Sequence, residues 1–268
     1  MLKVAVCMKI VIDPEMPFSE FRIDRENRRP IPPSGVPPLF SPFDENALEW
    51  ALKIKDGREC KVTVVSVGKA LPKAVLQKAI AAGADEAVAV EDPRFEHLGP
   101  FGTAGVLAAA IEKMGGCDLV FTGRQGADWD GGVVWAGIAE LLNMPCVTLV
   151  RGIDVREGAI VVERCAADCV EVVESPIPAV VTFTSEAGEL RGITLPSLLK
   201  AKKREILRWS ASDVGFRQDE VAELRDLFIP EVDVVDNYLV PGESAREKGR
   251  NLAQLFLDRQ VLETNLKA

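Results

Sequence analysis

A chain of 268 residues that is 47% hydrophobic is long enough to bury a large core without disulfide support, and its net charge of −9 argues against nucleic acid or an anionic membrane surface as the bulk partner. The six cysteines, Cys7, Cys60, Cys117, Cys146, Cys165 and Cys169, fall in or beside apolar runs at irregular spacings, as reduced core residues of a cytoplasmic protein do. No charged n-region precedes an apolar stretch and no run of about 18 apolar residues occurs, so export and membrane insertion are both disfavoured, and the scattered thiols with one histidine disfavour a metal site.

The chain opens on Leu2–Met8, LKVAVCM, an apolar run with β-branched residues that suits a central parallel strand. Residues 12–43 follow, too polar and too broken by prolines for a core strand, and a loop of that length is usually functional or covers a surface. Ser41-Pro42-Phe43-Asp44-Glu45 then opens a helix, with proline in the first turn, acids complementing the dipole, and Ala47, Leu48, Ala51 and Leu52 on its apolar face. After Gly57 the pattern gives a strand at Lys61–Val67, a helix around Leu71–Ala82 closed by Gly83, and a strand at Ala87–Glu91. A helix near Phe101–Met114 and a strand at Asp118–Thr122 come next, and Pro145 precedes a further strand at Cys146–Val150. Strands alternating with helices predict an α/β fold: a doubly wound, mostly parallel, Rossmann-like sheet, which the resemblance given below implies is of adenine-nucleotide-binding type, with an antiparallel extension and a C-terminal arm.

The stretch DLVFTGRQGADWDGGVVWAG, Asp118 to Gly137, reads as a buried strand, a loop punctuated by Gly123, Gly126, Gly131 and Gly132, and a helix continuing through Ile138, Leu141 and Leu142. Glycines let main-chain N–H groups approach an anion, and the helix start carries about half a positive charge, so a phosphate would be stabilised there. The spacing matches neither the triphosphate loop nor the dinucleotide fingerprint, and an ordinary strand-to-helix turn is the plain alternative. A strand order of 3-2-1-4-5 would place the loops after Cys7 and Thr122 across one crevice, with Val67-Gly68 beside them, where doubly wound sheets bind their ligands.

From Gly152 onward the strand-like pieces Ala159–Arg164, Cys169–Glu174 and Ala179–Thr184 are expected as antiparallel additions, with Cys165 and Cys169 on one strand face. GELRGITLPSLLKAKKREIL ends in the basic run Lys200, Lys202, Lys203 and Arg204, whose plain reading is an amphipathic helix with a solvated face. A stretch of little periodicity over 226–240 leads to a helical pattern from Ser244 to Leu262, whose apolar Leu252, Leu255, Phe256 and Leu262 are expected to pack on something outside the sheet. The organisation expected is a nucleotide-binding domain at 1–190, a segment at 191–209 that the resemblance given next implies is for partner recognition, and an arm at 210–268.

Taken jointly, VAVCMKIVID, SPFDENALEWALKIKD, VTVVSVG, AIAAGADEAV, GRQGADWDGG, PAVVTF and TLPSLLKAKKR resemble the small (beta) subunit of electron transfer flavoproteins over nearly all of residues 1–209. The resemblance implies a non-catalytic subunit of an electron-carrying heterodimer. Its partners would be the alpha (large) subunit, which holds most of a shared FAD, a flavin dehydrogenase such as an acyl-CoA dehydrogenase, and a quinone oxidoreductase. The small subunit would bury AMP, or a second FAD in electron-bifurcating members that also take hydride from NADH. Carried onto this chain, nucleotide contacts fall at Cys7, at Ser41, Pro42, Phe43 and Asp44, and at Val67. They continue along Gly123, Arg124, Gln125, Gly126, Ala127, Asp128, Trp129, Asp130, Gly131, Gly132, Val133 and Val134. Phe43 sits where the family places an aromatic near the partner's flavin; a hydrophobic anchor at the helix start is the other reading.

Leu195 matches the leucine that inserts into a partner dehydrogenase, within a recognition segment of Leu195, Pro196, Leu198, Lys200, Lys202 and Lys203. An exposed leucine beside a proline carries a low ordering cost on binding, and the lysines can steer an acidic partner. Two departures mark this chain: Trp129 replaces a small residue, and Val133-Val134-Trp135 replaces a polar step that includes a glutamine. Trp129 can stack on a ring or plug the cleft. Val134 leans toward the FAD-binding pattern, while TLPSLLKAKKR leans toward the ordinary one. The rival class, a stand-alone enzyme on the same sheet, lacks H-E-x-x-H, G-x-S-x-G and the triphosphate loop, and Asp128 and Asp130 read as turn residues before Mg²⁺ ligands. A scaffold with a vestigial pocket is the third possibility.

Overall fold

The computed structural model describes residues 1–216, 224–230 and 237–259. The chain forms two compact units, residues 1–227 and 228–268.

Within the first unit the strands are β1 (Leu2–Cys7), β2 (Ile10–Val11), β3 (Arg22–Asp24), β4 (Arg29–Ile31), β5 (Leu39–Phe40), β6 (Cys60–Gly68) and β7 (Glu86–Glu91). They continue with β8 (Leu119–Gly123), β9 (Cys146–Val155), β10 (Ala159–Cys165), β11 (Val170–Pro176), β12 (Ala179–Phe183) and β13 (Leu207–Trp209). The helices are α1 (Pro42–Gly57), α2 (Lys73–Ala82), α3 (Pro100–Lys113), α4 (Val134–Leu141) and α5 (Leu195–Ala201); α6 (Ala245–Asp258) belongs to the second unit.

Nine strands form one sheet in the order β11-β10-β9-β12-β8-β1-β6-β7-β13. β1 lies inside it, parallel to β6 on one side and β8 on the other, because its side chains are apolar toward both faces. Val4 and Val6 enter a cluster with Leu48 and Leu52 of α1 and Leu76 of α2; Ala5 and Cys7 enter another with Val106 and Ile111 of α3 and Ile138 of α4. Each such fully buried aliphatic side chain contributes about 1.5–3 kcal/mol. α3 and α4 approach so closely that a Cβ on Gly137 would stand 2.7 Å from Ala104 Cβ.

The order 3-2-1-4 holds, but β12 lies between the fourth and fifth strands of that alternation. It is parallel to both β8 and β9, which corrects the expectation of an antiparallel addition at 179–184. The cause is visible in AVVTF: all five residues are buried, as a central strand requires. β10 and β11 do pair antiparallel, at the edge, where more of the side chains meet solvent. There Cys165 pairs with Val170, while the Ala166 N–H donates to the Cys169 carbonyl at 3.0 Å. The chain reverses between the two cysteines and puts them on opposite faces, contrary to the one-face expectation. At the other edge β13 runs parallel to β7.

The proline-broken segment folds into two short ladders, β2 with β5 and β3 with β4. The first returns the chain to the carboxyl end of β1, where the Ser41 N–H donates to the Lys9 carbonyl at 2.8 Å. α1 therefore begins at the crevice.

Among the described residues no helix is long and apolar enough to cross a membrane, and no group of histidine, cysteine and acidic side chains could hold a metal ion. In the second unit α6 has no buried residue, with Ser244 Oγ capping its start by accepting the Glu247 N–H at 3.2 Å. Leu262 and residues 217–223 and 231–236 lie outside the described residues.

Candidate nucleotide site

Asp44, in the first turn of α1, is buried and turned inward. Its Oδ2 accepts the Lys9 N–H at 2.7 Å and its Oδ1 accepts the Gly123 N–H at 2.9 Å. One carboxylate thus ties the end of β8 and the loop after β1 to the start of α1. Burial pushes its pKa up to about 7; the two main-chain N–H groups and the Lys9 ammonium oppose this, and the Asp128 charge adds to it.

Ser41, fully buried at the helix start, leaves the α1 amides uncapped; its Oγ accepts the Ala127 N–H at 3.3 Å. Lys9 Nζ closes the ring from the other side, reaching both Asp128 oxygens at 2.8 and 2.7 Å. Gly123 is dictated by packing, since a Cβ there would stand 2.6 Å from the Phe43 carbonyl carbon and 2.7 Å from Asp44 Oδ1. Gln125 Nε2 donates to Asp130 Oδ1 at 2.7 Å, and Asp130 and Gly132 take φ of +50° and +60°. Between the held Asp128 and Asp130, the Trp129 side chain stands 57% exposed.

Arg124 carries the positive charge of the loop. Its main-chain N–H donates to the Phe183 carbonyl at 2.9 Å, and its guanidinium lies 4.6 Å from the centre of the Phe43 ring. Its Nε is buried with no hydrogen-bond partner among the described residues. A cleft of about 250 Å³ opens beside it, lined by Arg124, Gln125, Gly132, Trp135, Thr148, Leu149 and Thr182. Leu149 adopts φ +58° in the cleft wall, held by its N–H donating to Thr182 Oγ1 at 3.0 Å where the β9–β12 register shifts.

α4 begins at Val134 after exposed Val133, and no side chain caps it. Free first-turn N–H groups, a glycine-bounded loop and a buried unpaired guanidinium nitrogen are donors suited to a phosphate, so a phosphate-bearing group fits this end of the sheet.

The structure thus joins Ser41, Phe43 and Asp44 to Gly123, Arg124 and Ala127, with Pro42 the first residue of α1. Cys7 ends β1 beside Val65 of β6, and Val67 stands half-buried two residues further along that strand. Burial raises the Cys7 thiol pKa far above its ordinary range, so it is an inert core group. Sequence patterns did not single out Lys9, Thr148, Leu149 or Thr182. A cation directly after β1 was a usable signal for Lys9; a left-handed leucine has none.

Within the segment expected to recognise a partner, Leu195–Ala201 form α5. Thr194 caps it, its Oγ1 accepting the Ser197 N–H at 3.3 Å. Leu195 is 69% exposed, as are Pro196, Lys200, Lys202 and Lys203 to varying degrees, whereas Leu198 is half-buried and Ala201 is buried.

Comparison with known proteins matches residues 34–214 to the electron transfer flavoprotein domain, spanning both the glycine loop and α5. The chain is 36% identical over 213 residues to the electron transfer flavoprotein subunit beta of Clostridium acetobutylicum, covering 80% of each chain. It is 34% identical over 215 residues to the caffeyl-CoA reductase-Etf complex subunit CarD of Acetobacterium woodii, again covering 80% of each. It is 33% identical over 231 residues to protein FixA of Sinorhizobium fredii, covering 84% of this chain and 79% of that one. The chain belongs to the electron transfer flavoprotein beta-subunit family, and its role is in electron transfer.

Proposed function

We propose that this chain is the small subunit of a cytoplasmic heterodimeric carrier that shares an FAD with its large subunit and moves electrons from flavin dehydrogenases to a downstream quinone oxidoreductase. In this role the nucleotide of its own glycine loop is structural AMP. The observation that carries the reading is the Asp44 carboxylate, which fastens α1, the loop after β1 and the glycine loop into one frame around the donors for a phosphate.

The flavin supplies the redox chemistry when bound. What this chain supplies is placement. Arg124, the loop amides and the start of α4 hold the phosphate; Asp44 and Ser41 hold the loop; Phe43, braced by Arg124, faces the shared flavin. Leu195 is the anchor for the dehydrogenase, Pro196 and Leu198 shape its turn, and Lys200, Lys202 and Lys203 attract an acidic surface. α6 and the segment leading to it embrace the large subunit, its exposed Leu252 and Leu257 finding their cover there.

A second reading replaces AMP by a second FAD, with NADH-linked bifurcation. Val134 at the start of α4 favours it, because it stands where the resemblance leans toward the FAD-binding pattern. The carrier role itself is tested by mixing the purified heterodimer with a reduced flavin dehydrogenase. Bleaching of the shared flavin, reversed by a quinone oxidoreductase, is expected; a flavin that no dehydrogenase reduces would refute the role.

A further inference from the structure

α1 carries a second set of polar contacts away from the nucleotide loop. Asn46, Glu49, Trp50 and Asp56 recur at helical spacing and meet residues 187–191. Asn46 Nδ2 donates to the Gly188 carbonyl at 2.5 Å, and Trp50 Nε1 to that of Ala187 at 2.9 Å. Glu49, only 5% exposed, accepts the Arg191 main-chain N–H at 2.9 Å, its Nε at 3.0 Å and its Nη2 at 3.0 Å. The same guanidinium reaches Asp56, Nη2 at 2.8 Å and Nη1 at 3.3 Å. The two carboxylates hold the Arg191 charge firmly, and its pKa is raised accordingly.

An ion pair of this kind adds little net stability over an apolar pair of equal volume, because desolvation offsets the attraction. What it adds is direction. A planar fork engaged by two carboxylates admits one approach of the chain, which a lysine cannot impose. Three residues after that fork comes Thr194, and then Leu195.

The other end of α5 is also fixed. Ala201 is buried, Gln77 Nε2 of α2 donates to the Lys202 carbonyl at 3.1 Å, and Arg204 Nη2 donates to the Asp85 carbonyl at 2.8 Å. Between these clamps residues 192–196 are exposed, so the place of Leu195 is set from its two flanks.

We propose that Arg191, through Glu49 and Asp56, is a positioning residue that sets where Leu195 stands and thereby the affinity of the carrier for its dehydrogenase. This rests on Leu195 being the dehydrogenase anchor.

The test uses the full heterodimer as electron acceptor for a flavin dehydrogenase, with R191K, L195A and the double variant. R191K is expected to raise KM for the heterodimer five- to tenfold and leave kcat within twofold, with nucleotide content and large-subunit association unchanged. L195A should raise KM at least as much, and the double variant no further, since a displaced anchor and a missing one are equivalent. An unchanged KM in R191K while L195A raises it would overturn the positioning role, as would effects that multiply in the double variant. An unchanged KM in L195A would overturn the anchor reading, whatever Arg191 does. If R191K fails to assemble, D56N removes only the outer pair; a KM raised about twofold supports the role and an unchanged KM overturns it.

Discussion

Gly123 and Asp44 are fitted to each other twice over. The Gly123 N–H donates to Asp44 Oδ1 at 2.9 Å, and a Cβ at Gly123 would stand 2.7 Å from that same oxygen. Residues 79 positions apart therefore meet with no room for a side chain between them. The glycine loop starts from a point that α1 fixes.

Gly123→Ala should therefore lower stability by about 1–3 kcal/mol, the range for overpacking, because the nearest obstacle is the Phe43 main chain rather than a side chain that can swing away. The drop should appear in denaturant midpoints together with loss of bound nucleotide. A variant as stable as the parent, with its nucleotide retained, would show that the loop yields.

Asp44 sets a pH dependence. Its folded pKa is pushed up from the ordinary 3.8 to about 7, so folding takes up a proton between those values. Its contribution is fully present below about pH 4 and is lost as pH rises to about 7. Asp44→Asn should flatten the fall in melting temperature across that window. It should also cost about 1–3 kcal/mol, because the amide nitrogen would face one of two N–H donors. Parallel pH profiles for parent and variant would refute the assignment.

Arg124→Met keeps the packing on Phe43 and removes the buried donor. Loss of one charge-assisted hydrogen bond to phosphate is worth about 1.5–3 kcal/mol, so nucleotide affinity should fall roughly 10- to 150-fold. Calorimetric titration of the stripped heterodimer measures it, and an unchanged affinity would remove Arg124 from the site.

The boundary of the arm follows from packing. Ala211 is fully buried and Phe216 meets Phe95 edge to face at 6.1 Å, so a cut after Ser210 would open the core. Truncation after Leu227, at the boundary between the two units, should keep the sheet folded and release the large subunit. Co-elution of the truncated chain with the large subunit on gel filtration would refute the embracing role.

Much of this was legible in the sequence because parallel strands buried on both faces read as continuous apolar runs; β1, β6 and β8 stand where alternation placed them. β12 has the same signature, but sequence order gave no reason to insert a later strand between earlier ones, and β13 is three residues long. The glycine loop was visible from its spacing. The role of Asp44 was not: an acid in the first turn of a helix ordinarily complements the dipole, and only the return of the chain through β5 turns it inward. Within the loop Asp128 pairs with Lys9, and Asp130 accepts a hydrogen bond from Gln125.

The most direct test of the central claim is to purify the heterodimer, denature it and quantify the released nucleotides by chromatography. One FAD and one AMP per heterodimer is the expected result, with the small-subunit nucleotide structural. Two FAD would replace AMP by the bifurcating reading. One FAD with no second nucleotide would contradict the account, leaving the loop that Asp44 holds as a turn and nothing more.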